Sequence, residues 1–229
     1  MKYKHIFFDL DRTLWDFERN MQITLHEIYE RHNLKRNIPS FEDFITSYNL
    51  HNERLWKWYQ QGQMKKEVLR YKRFELTLKE FGFDNKELAK VVGQEYINES
   101  PKKTALIPNT LELLEYLHPN YSLHIITNGF NEVQFTKLKL CGISNFFEKV
   151  VTSEISGHHK PRAGAFGYSL STANAKKRES IMIGDDLHAD IIGAKAFGID
   201  QVFFNPKGTA HSEILTYEVK SLRSIMDFL

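Results

Sequence analysis

The chain contains almost no cysteine: Cys141 is the single cysteine among 229 residues. One thiol excludes an internal disulfide and excludes a metal site built from several cysteines. No apolar stretch approaches the ~20 residues that are needed to span a bilayer, so we expect no membrane partner. The first residues run directly into an apolar segment and leave no room for a signal peptide, so we expect a cytoplasmic protein.

The chain also lacks an excess of charge of either sign. Its 31 basic and 29 acidic residues give a formal net charge of +2. Short basic runs such as Lys65-Lys66 and Lys176-Lys177-Arg178 are typical of solvated helix faces and turns. Because a nucleic-acid-binding protein concentrates basic residues on one face, we expect no nucleic-acid partner. The glycine motifs of P-loop proteins, dinucleotide-binding proteins and serine hydrolases are absent from the sequence as well.

Short apolar runs alternate with helical segments over most of the chain. With 41% apolar residues, the chain can bury one large core or two modest ones. Apolar spacing near 3.6 residues, as at Leu111, Leu114 and Leu117, predicts the buried face of a helix. Strands and helices that alternate through short connections predict an α/β fold with a doubly wound parallel sheet, which is Rossmann-like. The predicted strands lie at about 4–9, 122–127, 149–153, 180–184 and 201–205, with a weaker one near 217–220.

Residues 15–97 interrupt this alternation. They contain all three tryptophans and no convincing strand, and their pattern indicates several amphipathic helices. Ser40, with Asp43 three residues later, predicts the beginning of one helix. We therefore predict that 15–97 form a helical cap domain over the strand ends, and that 1–14 and 98–229 form the catalytic core.

The first apolar run, Ile6-Phe7-Phe8, ends directly in Asp9-Leu10-Asp11-Arg12-Thr13. Residues two apart on a strand point the same way, so Asp9 and Asp11 are expected to leave its carboxyl end together. In an open α/β sheet, that end is where ligands bind. Two neighbouring carboxylates there can hold a divalent cation, or they can divide into a nucleophile and a general acid/base.

Three further groups of polar residues follow later apolar runs. Thr127-Asn128-Gly129 ends one run, Lys160 follows another, and Gly184-Asp185-Asp186 ends a third, with Asp190 four residues beyond. Taken singly, each has an ordinary structural explanation, such as a turn after a strand or an acidic pair at a helix N-terminus. Taken together, they would bring a hydroxyl, an ammonium and an acidic cluster to the strand end that carries Asp9.

These four motifs, in this order, resemble those of the haloacid dehalogenase-like (HAD) hydrolases. The resemblance covers the whole chain, and the position of the helical insertion resembles the C1-capped subclass of that family. Members of the family that cleave carbon–halogen bonds lack the second aspartate of the first motif. The presence of Asp11 therefore favours phosphoryl chemistry.

The resemblance implies a role for each motif residue. It implies that Asp9 is the nucleophile, which forms an aspartyl-phosphate, and that Asp11 is the general acid/base. It implies an Mg²⁺ ion held by Asp9, the Asp11 main-chain carbonyl and Asp185. Lys160 would neutralise charge and would bind phosphate together with Thr127 and Asn128. Asp186 and Asp190 are expected to orient Lys160 or a metal-bound water.

A second, narrower resemblance concerns the substrate. The segments Leu55–Gly62 and Thr127–Phe130 look similar to those of the pyrimidine 5′-nucleotidase branch of the family. Trp56 and Tyr59, or Trp15 and Phe17, would present an aromatic surface to a nucleobase. The expected substrate is a small phosphomonoester, above all a pyrimidine nucleoside monophosphate. The alternatives are a sugar-phosphate or phosphoglycolate phosphatase and a phosphomutase.

Overall fold

The core of the protein is a six-stranded sheet in a computed structural model that describes residues 2–229. All neighbouring strands are parallel, and their order is β3-β2-β1-β4-β5-β6. Each strand predicted from the sequence is present, and the parallel α/β class is confirmed. The strands are β1 (His5–Phe8), β2 (Ser122–Thr127), β3 (Phe147–Thr152), β4 (Ser180–Gly184), β5 (Asp200–Phe204) and β6 (Tyr217–Val219).

The strand order places β1 at the point where the direction of winding reverses. From β1 the chain winds outward to β2 and β3 on one side, and to β4, β5 and β6 on the other. In doubly wound sheets, this reversal opens a crevice beyond the carboxyl ends of the strands, where ligands bind. Phe8 at the end of β1 pairs with Ile183 of β4, so the segments that follow these two strands begin side by side.

Helices form most of the connections between the strands. In the described residues they are α1 (Phe17–Arg31), α2 (Phe41–Gln60), α3 (Lys66–Glu80), α4 (Lys86–Glu99), α5 (Thr110–Leu117), α6 (Asn131–Leu140), α7 (Ser153–Ser156), α8 (Ala163–Thr172) and α9 (Gly193–Phe197). A wide helical turn, Leu187–Ile192, precedes α9. Gly198, with a φ of 90°, ends α9 in the left-handed conformation that glycine adopts at low cost.

Both faces of the sheet are buried, because helices pack against each of them. Ile6 and Phe8 belong to one apolar cluster, and Phe7 between them belongs to the other. This alternation follows from the two-residue period of a strand. One helix prediction is wrong in detail: Leu111 is exposed, and Leu113 takes its place on the buried face of α5. The buried face of α5 is slightly rotated relative to the predicted one. The 3.6-residue period alone does not determine this rotation.

The chain divides into two compact units. One comprises Met1–Phe17 and Thr104–Leu229 and holds the sheet, and the other comprises Glu18–Lys103. We call the second unit the helical insertion. The boundaries predicted from the sequence lie near residues 14 and 97. In the structure the insertion continues to Lys103, because α4 runs to Glu99 and a short helical turn follows it.

The helical insertion is built from α1 to α4 and has its own aromatic core. Tyr48, Phe74 and Tyr96, one each from α2, α3 and α4, pack with ring centroids 5.2–5.8 Å apart. The predicted helix start at Ser40 is confirmed, since its hydroxyl accepts the backbone N–H of Asp43 at 3.1 Å. Within residues 2–229, no helix combines the length and the apolar character that crossing a membrane requires.

Candidate active site

A buried ion pair between Asp9 and Lys160 lies at the centre of the site. Asp9 follows β1 directly, and its backbone N–H donates to the Ile183 carbonyl of β4, which anchors it at the strand edge. The Lys160 ammonium donates to Asp9 Oδ1 and to the Ile126 carbonyl, each at 2.6 Å. Charge-assisted contacts of this length in a buried setting are among the stronger hydrogen bonds. They fix the positions of the Asp9 carboxylate and the Lys160 ammonium.

Two further carboxylates complete an acidic cluster around this pair. Carboxylate oxygens of Asp9, Asp185 and Asp190 all lie within 4.8 Å of one another. The Thr13 hydroxyl lies 3.4 Å from Asp9 Oδ2 and 3.3 Å from Asp185 Oδ1, so it joins the ends of β1 and β4. The spacing of the oxygens suits the coordination shell of a single cation, and hard oxygen ligands are those that Mg²⁺ prefers.

The electrostatics of the cluster favour a bound cation. Burial raises the pKa of Asp9, and the charge of Lys160 acts in the opposite direction. Burial and the charges of Asp9 and Asp190 raise the pKa of Asp185 well above its usual range. Burial lowers the pKa of Lys160, but the charges of Asp190 and Asp9 outweigh it and raise the pKa overall. Three carboxylates thus lie close together, but the one buried ammonium contacts only Asp9 and Asp190. A divalent cation among the carboxylates would favour their ionised forms.

Asp190 and Asp186 have different surroundings. Asp190 Oδ1 lies 2.7 Å from the Lys160 ammonium, and its Oδ2 accepts the backbone N–H of Asp186. Burial raises the pKa of Asp190 to about 7. Asp186 is exposed, and its Oδ1 accepts the backbone N–H groups of His188 and Ala189, as a helix N-cap does. Asp190 therefore contacts Lys160, and Asp186 orders the turn that carries Asp190.

Thr127 is the last residue of β2, and Asn128 follows it at the same edge of the sheet. The Asn128 side chain accepts the backbone N–H of Lys160 at 2.8 Å and donates to the Lys160 carbonyl at 3.0 Å. These two hydrogen bonds hold the loop that carries Lys160. The Thr127 hydroxyl accepts the Gly129 N–H at 3.2 Å and is buried. The structure thus brings the residues of all four motifs to one edge of the sheet.

Two residues that were not among those predicted from the sequence contact Asp11. Lys137 and Gln134 lie three positions apart on α6, and both are buried. The Lys137 ammonium lies 2.5 Å from Asp11 Oδ1, and the Gln134 amide donates to Asp11 Oδ2 at 2.9 Å. One signal in the sequence could have indicated them. The two polar residues fall on the same helix face as Leu138, where an apolar stripe would be expected.

The aromatic predictions have different outcomes. The prediction that Trp15 presents a surface to a nucleobase is wrong, because Trp15 is 1% exposed and its ring is covered by the Lys137 ammonium at 4.0 Å. Phe17 is half-buried, with the Arg12 guanidinium 4.2 Å from its ring centre. Trp56 and Tyr59 pack edge to face at 5.6 Å and keep part of their surface exposed. Their role in stacking stays a prediction.

Comparison with known proteins identifies the class of this α/β protein. The family model described as haloacid dehalogenase-like hydrolase matches residues 6–204, and the chain belongs to that family. It is therefore an enzyme, a hydrolase, and the relatives given in the next paragraph show that it is of the phosphatase type. The crystal structure of the HAD-hydrolase YfnB from Bacillus subtilis, described as bound to magnesium, superposes with a TM-score of 0.89 at 28% identity. The match covers 99% of this chain and 98% of that chain.

Three relatives with named activities match this chain over its full length. The pyrimidine 5′-nucleotidase YjjG of Escherichia coli K12 is 29% identical to this chain. The match covers the whole of this chain and 99% of YjjG. The pyrimidine 5′-nucleotidase PynA of Streptococcus pneumoniae is 30% identical, with 96% of its length covered. A glyceraldehyde 3-phosphate phosphatase of Pyrococcus furiosus is 27% identical, with 93% of its length covered. All three matches extend over the full chain.

Proposed function

We propose that this protein is an Mg²⁺-dependent phosphomonoester hydrolase that works through an aspartyl-phosphate on Asp9. The observation that carries the proposal is the buried Asp9 carboxylate, with Lys160 at 2.6 Å and Asp185 within the same acidic cluster. A nucleophilic carboxylate needs neighbouring positive charge, because a phosphate dianion repels it. Lys160 supplies part of that charge, and its ammonium is held by hydrogen bonds to Asp9 Oδ1 and the Ile126 carbonyl and by an ion pair with Asp190.

In the first half of the proposed reaction, Asp9 attacks phosphorus and the bond to the leaving oxygen breaks. Lys160 occupies Asp9 Oδ1, which leaves Oδ2, next to the Thr13 hydroxyl, as the attacking oxygen. Asp11 donates a proton to the leaving oxygen, so that an alcohol departs. Asp9 then carries the phosphoryl group as a mixed anhydride, and Asp11 is left as a carboxylate.

In the second half, water hydrolyses the mixed anhydride. Asp11 now accepts a proton from the water as its oxygen attacks phosphorus, and Asp9 departs as the free carboxylate. Inorganic phosphate leaves, and both aspartates return to their starting protonation states. Lys160 balances the returning negative charge on Asp9 throughout. The same pair of carboxylates thus serves both halves, because Asp11 changes from acid to base.

The residues that would hold Mg²⁺ are Asp9, Asp185 and the main-chain carbonyl of Asp11. Asp190 belongs to the same cluster, but its contacts with Lys160 and the Asp186 N–H favour a supporting role. When bound, a divalent cation would offset the repulsion between the substrate phosphate and these carboxylates. The donor set fits this ion, because it consists of hard oxygens and leaves room for water and substrate ligands.

We propose pyrimidine nucleoside 5′-monophosphates as the preferred substrates, which the full-length similarity to YjjG and PynA supports. Kinetic assays with Mg²⁺ should compare pyrimidine and purine nucleotides, glyceraldehyde 3-phosphate, phosphoglycolate and hexose phosphates. If one aromatic ring stacks on the base, at about 1–3 kcal/mol, kcat/KM should favour nucleotides over bare sugar phosphates by roughly five- to a hundredfold.

The other outcomes of this substrate comparison are equally specific. Preference for a triose or hexose phosphate or for phosphoglycolate would replace the nucleotidase with a sugar-phosphate or phosphoglycolate phosphatase, the group to which the Pyrococcus relative belongs. Conversion of a sugar phosphate into its isomer, without net release of phosphate and dependent on a bisphosphate activator, would indicate a phosphomutase, because the phosphoryl group then returns from Asp9 to a sugar rather than to water. Asp9→Asn protein serves as the blank for contaminating phosphatases in every assay.

Replacement of Asp11 by asparagine should separate proton transfer from the rest of the chemistry. The main-chain carbonyl remains in Asp11→Asn, so metal binding should persist, whereas the side chain can no longer supply or accept the proton. We expect kcat/KM, which reports the steps up to departure of the leaving group, to fall about 10²–10⁴-fold for an alkyl phosphate and much less for p-nitrophenyl phosphate, whose leaving group needs no proton. Equal losses for the two substrates would contradict the assigned role.

A further inference from the structure

The ammonium of Lys137 is buried beside Asp11. The side chain of Lys137 is 5% exposed and that of Asp11 is 24% exposed, with 2.5 Å between Nζ and Oδ1. The same ammonium lies 4.0 Å from the centre of the Trp15 ring, which is itself buried. Burial of an ammonium is unfavourable unless charge or a π face compensates for it. Asp11 and Trp15 together provide that compensation.

Gln134 connects Asp11 to Thr127, the first residue of the second motif, Thr127-Asn128-Gly129. Its amide Nε2 donates to Asp11 Oδ2 at 2.9 Å and to the Thr127 hydroxyl at 2.7 Å. Gly129 makes this arrangement possible, because a Cβ there would come within 2.3 Å of the same Nε2 atom. Helix α6, which begins at Asn131 immediately after the second motif, thus carries both donors to Asp11.

Both oxygens of Asp11 therefore have a donor from one rigid helix. A carboxylate on a loop can rotate about two side-chain bonds, and every rotation moves its oxygens relative to Asp9. Two contacts from positions 134 and 137 remove this freedom. Catalytic groups have to be held close to the productive geometry, and a misplacement of about 1 Å can cost 10²-fold in rate.

We propose that Lys137 is a positioning residue for Asp11, and that Gln134 assists it by linking Asp11 to Thr127. Lys137 holds Oδ1 so that the carboxylate presents one orientation to the leaving oxygen and later to water. This inference rests on the proposed function, in which Asp11 is the general acid/base. Lys137 acts only through Asp11 and is not itself assigned a contact with the substrate.

A purely structural role for Lys137 makes a different prediction. If the ion pair only stabilises the loop between Asp11 and Trp15, its loss lowers the midpoint of thermal unfolding and affects all substrates alike. If Lys137 orients the acid, its loss affects most the substrates whose leaving groups need a proton. The dependence of the rate on the leaving group therefore separates the two roles.

The test compares Lys137→Met, Lys137→Arg and the control Lys139→Met, each assayed on an alkyl phosphate and on p-nitrophenyl phosphate. Lys139 is exposed on the same helix, so its replacement removes an equal charge without touching Asp11. We expect Lys137→Met to lower kcat/KM, which reports the steps up to departure of the leaving group, by about 10²-fold for the alkyl phosphate and severalfold for p-nitrophenyl phosphate. Lys137→Arg should restore part of the loss, and Lys139→Met should match the wild type.

Three results would overturn the inference. They are equal losses on both substrates, no recovery in Lys137→Arg, or an effect of Lys139→Met as large as that of Lys137→Met. Gln134→Met provides a second route if Lys137→Met fails to fold, and it should show the same dependence on the leaving group. Asp11→Asn, assayed alongside, distinguishes failure of the proposed function from failure of the inference about Lys137. If Asp11→Asn keeps its activity, the proposed function fails, whereas activity lost only in Asp11→Asn contradicts the role of Lys137 alone.

Discussion

Asp9→Asn should abolish turnover while leaving the protein folded. The amide is nearly the same size as the carboxylate, but it is a very poor nucleophile and a weaker metal ligand. Loss of one member of a catalytic unit costs about 10⁴–10⁶-fold in a serine hydrolase that forms a covalent intermediate, and loss of its nucleophile lies at the upper end. The measurement is phosphate release under saturating substrate and Mg²⁺. A variant that keeps as much as about a tenth of wild-type activity would remove Asp9 from the nucleophile role.

The stability of this variant provides an independent check. Asp9 lies within 4.8 Å of Asp185 and Asp190, so its neutralisation relieves repulsion among buried carboxylates. Lys160 keeps its contacts with Asp190 and the Ile126 carbonyl. The midpoint of thermal unfolding without metal should therefore stay the same or rise. Asp84→Asn, at an exposed position before α4, is the matched control and should change neither activity nor stability.

Removal of divalent metal should abolish turnover, and readdition of Mg²⁺ should restore it. Without a cation, the charge of one ammonium faces three carboxylates and an incoming phosphate dianion, which disfavours substrate approach. The measurement is turnover after exhaustive treatment with EDTA and after readdition of Mg²⁺. Ca²⁺ should bind but support less activity, because it accepts six to eight ligands in a flexible geometry and can alter the orientation of Asp9. Full activity in excess EDTA would overturn the metal-dependent mechanism.

Thermal unfolding gives a readout of the metal that does not depend on turnover. A ligand at 100 times its Kd stabilises the folded state by about 2.7 kcal/mol. For a protein of this size that corresponds to a rise of roughly 5–10 °C in Tm. The rise should shrink in Asp185→Asn and persist in Asp186→Asn, since the Asp186 side chain contacts backbone N–H groups of the following turn. Equal rises in both variants would place the cation elsewhere.

The strands and the four motifs could be predicted because their signals are local. Ile6, Phe7 and Phe8 are apolar at consecutive positions, as a strand buried on both faces requires. Chain order and the rule that parallel strands share their carboxyl ends were then enough to bring Asp9, Asp185 and Lys160 together. The same reasoning gave the helix start at Ser40, whose cap involves residues only three apart.

The partners of Lys137 and Gln134 could not be predicted, because they are distant along the chain. A lysine on a helix is ordinarily a solvated residue, and nothing near position 137 indicates that its ammonium meets Asp11. Trp15 was predicted wrongly for the same reason. An aromatic ring next to a catalytic motif suggests a binding surface, but the ring is buried beneath the Lys137 ammonium.

The sequence by itself determined the parallel α/β class, the family and the residues at the strand ends. These depend on short-range periodicity and on the order of motifs, which a linear chain displays directly. Only the tertiary structure decided which side chain pairs with which carboxylate: Asp190 with Lys160, Asn128 with the Lys160 backbone, and Lys137 with Asp11. The physical reason is that a charge pair forms where packing brings two groups within about 3 Å and removes water from them. That distance is set by how α6 and the loops pack on the sheet.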